Sequence, residues 1–514
     1  MNHLIIKLLV HMLRNGGVTR AFIGAGSRST ALIQELDHQQ FQIHSFLDER
    51  AVGFLALGHT KGSQIPSLIV TTSGSAVTNL YPAITEAANS FQSLIVLTAD
   101  RPKRLQQTSA NQTIKQTRIF NNVLSELQLP EEESNNDTFL NELALALRKQ
   151  QLKGGVIHIN CPLEDPVMHP YKPKATSEQQ IPSITDQVIK YESFPQSLKD
   201  QIQTAQLGVL CIGQTEPFID SSELITIINR FNWPTIVDAT HHQLKVLPNV
   251  AQSADDAALA LEDQHPDLIL YIGGPWVSKK MAQYIETNAS KVIHLTQSYK
   301  PVAPMPNNSI RIMLNELLNL NNLSSQWLDI ESLNKVTHNR LSALPKTSEF
   351  SQVKRFLTRL PVTVDCFISN SLPIRYVDQL VLPNVKQLYC NRGASGIDGN
   401  IATIAGLCLE ETAVPLLAIV GDLAALYDLN AFLLLNSAKR PFTIVILNNG
   451  GGCIFEKLPI SKTYHKFDDH FKLKHNNQLT PILTGMGLNC ENVDSIDLFK
   501  MSGSRQILEL RLGN

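Results

Sequence analysis

Neither sign of charge dominates this chain: 44 lysines and arginines stand against 46 aspartates and glutamates in 514 residues. Without a basic stripe the sequence does not point to nucleic acid, and without a block of like charge it does not point to a disordered tail. No apolar run approaches the roughly 20 residues of a membrane span. The seven cysteines (Cys161, Cys211, Cys366, Cys390, Cys408, Cys453, Cys490) lack any CxxC spacing. That argues against a zinc or disulfide framework and reads as buried thiols of a cytoplasmic protein. The opening MNHLIIKLLVHMLRNGG lacks a small-residue cleavage site and spaces its apolar residues helically. It reads as a first helix of the fold rather than a signal peptide. The third glycine of a dinucleotide loop is also missing after Gly24-Ala25-Gly26, and Asp48 matches the ribose acid weakly. A nicotinamide oxidoreductase is therefore disfavoured.

What the chain does have is length beyond one core and a steady alternation of short apolar runs with helical patterns. AFIGAG, SLIVTTSG and SLIVLTADRP recur in the first third, LGVLCIG, PTIVDAT and DLILYIGG in the middle, and VTVDCFIS, LLAIV and FTIVIL in the last. This predicts an α/β protein of three doubly wound domains with mainly parallel sheets. The expected boundaries are 1–166, a linker rich in Pro, Ser, Lys and Gln at 167–195, a central domain at 196–335, and a C-terminal domain at 350–514, entered through the apparent linker TSEFSQVKRF.

One stretch organises the rest. From Leu416 to Phe455 an apolar run ends at Gly421-Asp422, a helical spacing of Leu426, Leu429, Leu433 and Leu434 follows, and a second run ends at Asn448-Asn449-Gly450-Gly451-Gly452. Strand, helix, strand implies parallel neighbours, whose carboxyl ends carry the ligands of such sheets. One carboxylate, one side-chain amide and free backbone carbonyls are hard oxygen ligands suited to Mg²⁺ beside a phosphate. Either dipeptide alone reads as a turn; both in one unit do not.

Other positions are weaker taken singly. Gly24 to Thr30 follows the first strand and opens a helix, a good anion site in which Arg28 could grip a carboxylate. Glu49 reads as an acid in a first helical turn, or as a carboxyl held protonated in an apolar site. Ser73-Gly74, Arg101 and Asn111-Gln112 follow strands and fit ordinary capping and loop chemistry. Lys279-Lys280 fits a solvated pair. Asn391-Arg392-Gly393-Ala394-Ser395-Gly396-Ile397-Asp398-Gly399 is a tight loop on any reading.

In order, these motifs resemble the thiamine diphosphate-dependent enzymes. GDL…ALYDLNA…NNGG…IF, DERAVGFLALG, LTADRP, ANQTI and NRGASGIDG are similar to the family of 2-succinyl-5-enolpyruvyl-6-hydroxy-3-cyclohexene-1-carboxylate synthases of menaquinone biosynthesis. The likeness is good over about 20–120 and 365–460, thin in the middle and weak in the tail. Leu423 departs from the common GDG, and GAGSRSTAL from the commoner SPGSRSTPL.

The resemblance implies thiamine diphosphate with Mg²⁺ or Mn²⁺ as cofactors. Glu49 would act on the aminopyrimidine. Cofactor contacts would come from Ser73, Gly74, Ile397, Gly421, Asp422, Leu423, Asn449, Gly451, Gly452, Cys453 and Ile454, and metal ligands from Asp422, Asn449 and Gly451. Substrate contacts would come from Ser27, Arg28, Arg101, Asn111, Gln112, Lys279, Ser371, Arg375, Arg392, Phe455 and Leu458. The implied reaction decarboxylates 2-oxoglutarate and adds the succinyl unit to isochorismate in a 1,4 sense. A homodimer or homotetramer is implied too. The rivals are another thiamine diphosphate-dependent decarboxylase or carboligase, and a non-catalytic cofactor-binding homologue.

Overall fold

The structure is a computed structural model that describes residues 3–164, 193–217, 219–297, 309–320, 323, 327–493 and 505–512. The linker expected at 167–195 lies, over 167–192, outside the described residues.

Three six-stranded sheets carry the fold. The first holds β1 (Arg20–Gly24), β2 (Gln42–Phe46), β3 (Ser67–Thr71), β4 (Leu94–Asp100), β5 (Ser125–Gln128) and β6 (Val156–Pro162). The second holds β7 (Gly208–Ile212), β8 (Thr235–Val237), β9 (Val250–Ala251), β10 (Leu268–Ile272), β11 (Val292–Thr296) and β12 (Ser309–Arg311). The third holds β13 (Val364–Ile368), β14 (Val385–Tyr389), β15 (Leu416–Gly421), β16 (Phe442–Asn448), β17 (Cys490–Val493) and β18 (Arg505–Arg511). Every strand pairing among the described residues is parallel. Helices must then cover both faces, which is why the strands read as unbroken apolar runs. β1, β3, β4 and β6 are buried at every position.

The strand orders are β2-β1-β3-β4-β6-β5, β12-β11-β10-β7-β8-β9 and β14-β13-β15-β16-β18-β17. In each sheet the chain winds one way and then returns to wind the other, leaving a crevice where the order reverses. That crevice opens beside β1 and β3 in the first sheet, β7 and β10 in the second, and β13 and β15 in the third.

The chain gathers into two compact units. One comprises Met1–Ile189 with Asn391–Thr412 and Tyr427–Arg440; the other comprises Lys190–Cys390, Ala413–Leu426 and Pro441–Asn514. The connections that follow β14 and β15 thus fold with the first sheet. Within that unit the helix Asn400–Leu407 lies so close to the helix Glu49–Ser63 that a Cβ on Gly58 would stand 2.0 Å from the Thr403 carbonyl oxygen. The opening helix, His3–Asn15, buries Ile5, Leu9 and Leu13 in a core with Ile23, Leu36, Leu68 and Leu143.

Two local expectations are corrected. The leucine spacing around 426–434 does not make one helix: Asp422–Tyr427 is α-helical, and a separate 3-10 helix runs Leu429–Ser437. The break is Asp428, whose buried carboxylate accepts from the Ala402 amide (3.0 Å) and faces Arg50 (3.5 Å). The segment TSEFSQVKRF is not a linker. It forms the helix Glu349–Leu357, capped by Ser348 Oγ and burying Phe350, Val353, Phe356 and Leu357 at helical spacing.

Candidate active site

In the first unit the crevice of the first sheet collects three turns. Glu49 opens the helix after β2, and Asp48 caps it by accepting from the Arg50 and Ala51 amides. Across from it Gly24 ends β1, and a Cβ there would lie 2.5 Å from Glu49 Cγ. The Glu49 carboxylate accepts from Asn79 Nδ2 at 3.1 Å and is partly open, so its surround is polar on that side rather than wholly apolar. Ser73-Gly74 follows β3. Ser73 Oγ is buried and has no hydrogen-bond partner among the described residues. Gln112 lies over Gly74: its backbone and Cβ come within 3.4–3.5 Å of where a Gly74 side chain would begin.

The expected basic residues of this unit are placed differently from one another. Ser27 is exposed, but Arg28 is 3% exposed and donates to the Leu163 carbonyl (2.9 Å). Its charge offsets part of the rise that burial causes in the Asp100 carboxyl. Arg101 is partly exposed and folds onto the Asn111 carbonyl oxygen through Nε at 2.9 Å and Nη2 at 2.5 Å. Asn111 and Gln112 are exposed. Arg392 and Ile397 sit in the Asn391–Gly399 loop of the same unit, with Ile397 37% exposed.

Two residues that sequence reading passed over hold these loops. Gln116, buried, accepts from the Gly74 amide (3.1 Å) and donates to the Ala99 carbonyl and Asn160 Oδ1. Glu86, 2% exposed, accepts from the Gly393 (2.8 Å) and Ala394 (2.6 Å) amides, with Lys61 Nζ at 3.6 Å. The available signal for Glu86 was a lone acid in the otherwise small and apolar run YPAITEAAN.

In the second unit the crevice of the third sheet holds the remaining motifs. Gly421 ends β15 and Asp422 opens the next helix, nearly fully buried. Its carboxylate accepts from the Leu423 (2.7 Å) and Gly451 (2.9 Å) amides, with His475 Nε2 at 3.3 Å. Burial raises this carboxyl above the ordinary range, and those N–H groups only partly offset it. Asn449 follows β16. Its Oδ1 is buried with no hydrogen-bond partner among the described residues, while its Nδ2 donates to Glu349 Oε2 at 2.9 Å. Gly451 has φ +137, and a Cβ there would strike the Lys472 carbonyl oxygen at 2.4 Å.

These features fit a divalent cation. A carboxylate whose charged form burial disfavours and an orphaned amide oxygen at neighbouring strand ends are what a hard cation would complete. Among the described residues no three His, Cys, Asp or Glu side chains cluster as a metal site.

Past the glycines, Cys453 and Ile454 are partly buried, and Phe455 and Leu458 are 39% and 38% exposed. Burial pushes the Cys453 thiol up to about 11, which keeps it protonated near neutrality and a poor nucleophile. After β13, Ser371 adopts φ 74 and ψ −131, and Arg375 Nη1 donates to its carbonyl at 2.5 Å. Lys279 stands with Lys280 on the exposed start of the helix Lys279–Thr287, which belongs to the second sheet. Beside that sheet's crevice the turns after β7 and β10 approach closely: a Cβ on Gly213 would lie 2.0 Å from the Gly274 carbonyl oxygen.

Comparison with known proteins follows the same outline. Residues 5–119 match the family described as thiamine pyrophosphate enzyme, N-terminal TPP binding domain. The 2-succinyl-5-enolpyruvyl-6-hydroxy-3-cyclohexene-1-carboxylate synthase of Aliivibrio fischeri is 30% identical, over 96% of this chain and 91% of its own length. The Haemophilus influenzae Rd protein of that name is 30% identical over 93% and 88%. That of Actinobacillus pleuropneumoniae serotype 3 is 32% identical over 94% and 89%. A solved chain from Mycobacterium smegmatis, described as a candidate thiamin diphosphate-dependent enzyme, superposes with a TM-score of 0.71 over 99% of both chains at 15% identity, a likeness of fold. At this identity, over nearly the whole of each relative, the chain belongs to the 2-succinyl-5-enolpyruvyl-6-hydroxy-3-cyclohexene-1-carboxylate synthase family.

Proposed function

We propose that the chain is a thiamine diphosphate- and Mg²⁺-dependent carboligase that decarboxylates 2-oxoglutarate and joins the succinyl unit to isochorismate by 1,4-addition, releasing CO₂. Its relatives carry the name of that synthase. The observation that carries the reading is the buried Asp422 carboxylate and the unpartnered buried oxygen of Asn449 at neighbouring strand ends. When bound, thiamine diphosphate supplies the nucleophilic carbon and the electron sink for loss of CO₂.

The protein's own contribution is placement and charge. Asp422, Asn449 and the Gly451 carbonyl would hold the cation, and Gly450 to Gly452 admit a bulky diphosphate. Glu49, fixed by its helix start and by Gly24, would hold and return a proton at the pyrimidine nitrogen. Ser73 and Gly74 would line the same cofactor end. Ile397 is the apolar prop, and Cys453 and Ile454 with Phe455 and Leu458 form an apolar wall. Both substrates carry two carboxylates. Arg28, Arg101 and Arg392 in the first unit and Lys279 and Arg375 in the second supply complementary charge, with Ser27, Asn111, Gln112 and Ser371 adding hydrogen bonds.

We propose pyrimidine-side, central and diphosphate-side domains at 1–166, 196–335 and 350–514, one to each six-stranded sheet. We place the enzyme in the cytoplasm, which its seven free thiols support. Among the described residues no helix is long and apolar enough to cross a membrane. A homodimer or homotetramer is the assembly proposed, on the strength of the family likeness.

The test is CO₂ release from 2-oxoglutarate with cofactor and Mg²⁺, with and without isochorismate, beside Glu49→Gln. Release and adduct that need isochorismate and vanish in the variant are expected. Release indifferent to isochorismate would make the chain a decarboxylase. Cofactor binding without turnover would make it a non-catalytic homologue.

A further inference from the structure

Glu349 was hidden in a segment that reads as a linker, yet it is the first residue of a helix and reaches the candidate metal site. One carboxylate oxygen takes the Asn449 Nδ2 hydrogen at 2.9 Å. Asp422 is close enough for its charge to act on the same carboxyl. The opposite end of the Asn449 amide, Oδ1, is buried and has no hydrogen-bond partner among the described residues.

A side-chain amide can be turned over at little steric cost, because its oxygen and nitrogen are nearly equal in size. The cation needs the oxygen. A carboxylate that only accepts can meet the amide through its N–H₂ alone, so Glu349 decides which end faces Asp422. Groups behind a metal ligand commonly set its orientation in this way.

The geometry points to Glu349 as a positioning residue: by accepting from Asn449 Nδ2 it turns Asn449 Oδ1 toward the divalent cation beside Asp422. This rests on the metal-site reading above, and the test separates the two.

Mg²⁺ is titrated calorimetrically into chelator-treated protein saturated with thiamine diphosphate, for the parent, Asp422→Ala, Glu349→Ala, Glu349→Gln and Glu349→Asp. Melting temperatures without Mg²⁺ report folding. Orientation predicts that Glu349→Gln, whose amide can donate as well as accept and so lets Asn449 turn over, binds roughly 10–100-fold more weakly than the parent. It also predicts that Glu349→Asp, which keeps the charge but loses a methylene of reach, and Glu349→Ala bind roughly 10–100-fold more weakly. Gln weak with Asp near the parent would show that charge alone acts and overturn the inference, and Gln near the parent would overturn it by showing that an accept-only group is not needed. So would parental affinity in all three. Should Glu349→Ala fail to fold, the Gln and Asp pair still decides. If Asp422→Ala binds Mg²⁺ like the parent, it is the metal-site reading that falls.

Discussion

The space a Gly24 side chain would need is taken by Glu49: a Cβ on one would lie 2.5 Å from Cγ of the other. The end of β1 therefore presses the glutamate into a single position at the start of its helix. Substituting Gly24→Ala should cost about 1–3 kcal/mol of stability through overpacking, or move the glutamate. In either case turnover should fall at least tenfold with substrates saturating, measured as CO₂ release beside a denaturant melt. Unchanged turnover would mean that the position of Glu49 is not critical.

Ser371 holds φ 74 and ψ −131, a conformation that costs a residue with a side chain of order 1–3 kcal/mol. Glycine adopts it freely, though it loses more freedom on folding. Ser371→Gly should stabilise the chain by up to about 1 kcal/mol in a urea titration, while Ser371→Ala should not. If the hydroxyl also contacts substrate, both variants should raise KM.

Arg101 and Arg392 are proposed to recognise carboxylates. Arg101→Ala and Arg392→Ala should each raise the KM for a dicarboxylate substrate about tenfold or more while leaving cofactor affinity near the parent's. Arg392→Lys should recover only part of the loss, because lysine lacks the planar fork. Steady-state kinetics with each substrate varied in turn, and a cofactor titration, check both halves.

His158 is fully buried beside Thr98 Oγ1 (2.8 Å), and burial lowers its pKa to about 4. The unfolded chain takes up this proton near 6.5, the folded chain only near 4. Its contribution is therefore complete above about 6.5 and is lost as pH falls toward 4, at up to about 1.4 kcal/mol per pH unit. Asp378, raised to about 7, and Asp428, raised to about 6, act in the opposite sense, losing their contribution as pH rises from the ordinary 3.8. Both are shared by parent and variant and cancel in the difference. His158→Gln should flatten the pH dependence of stability between 6.5 and 4 by about one proton, read from denaturant melts at several pH values.

Much of this arrangement is legible from local pattern. Unbroken apolar runs ending in Gly421-Asp422 and Asn448-Asn449 announce parallel strands with polar tips, and the strand ends are where the structure puts them. Glu86, Gln116 and Glu349 were not legible, because each acts on residues far from it in sequence. Glu349 was obscured further by a polar stretch whose helical period, Phe350, Val353, Phe356 and Leu357, is only two turns long.

The sequence by itself determined the fold class, the strand ends that carry chemistry and the family, because parallel strands must be apolar throughout and polar where they stop. Tertiary structure alone decided that the Asn391–Gly399 loop folds with the first sheet, that Arg28 turns inward to Leu163, and that Glu349 faces Asn449. These depend on which distant segment fills a given space, and one-dimensional periodicity carries no record of that.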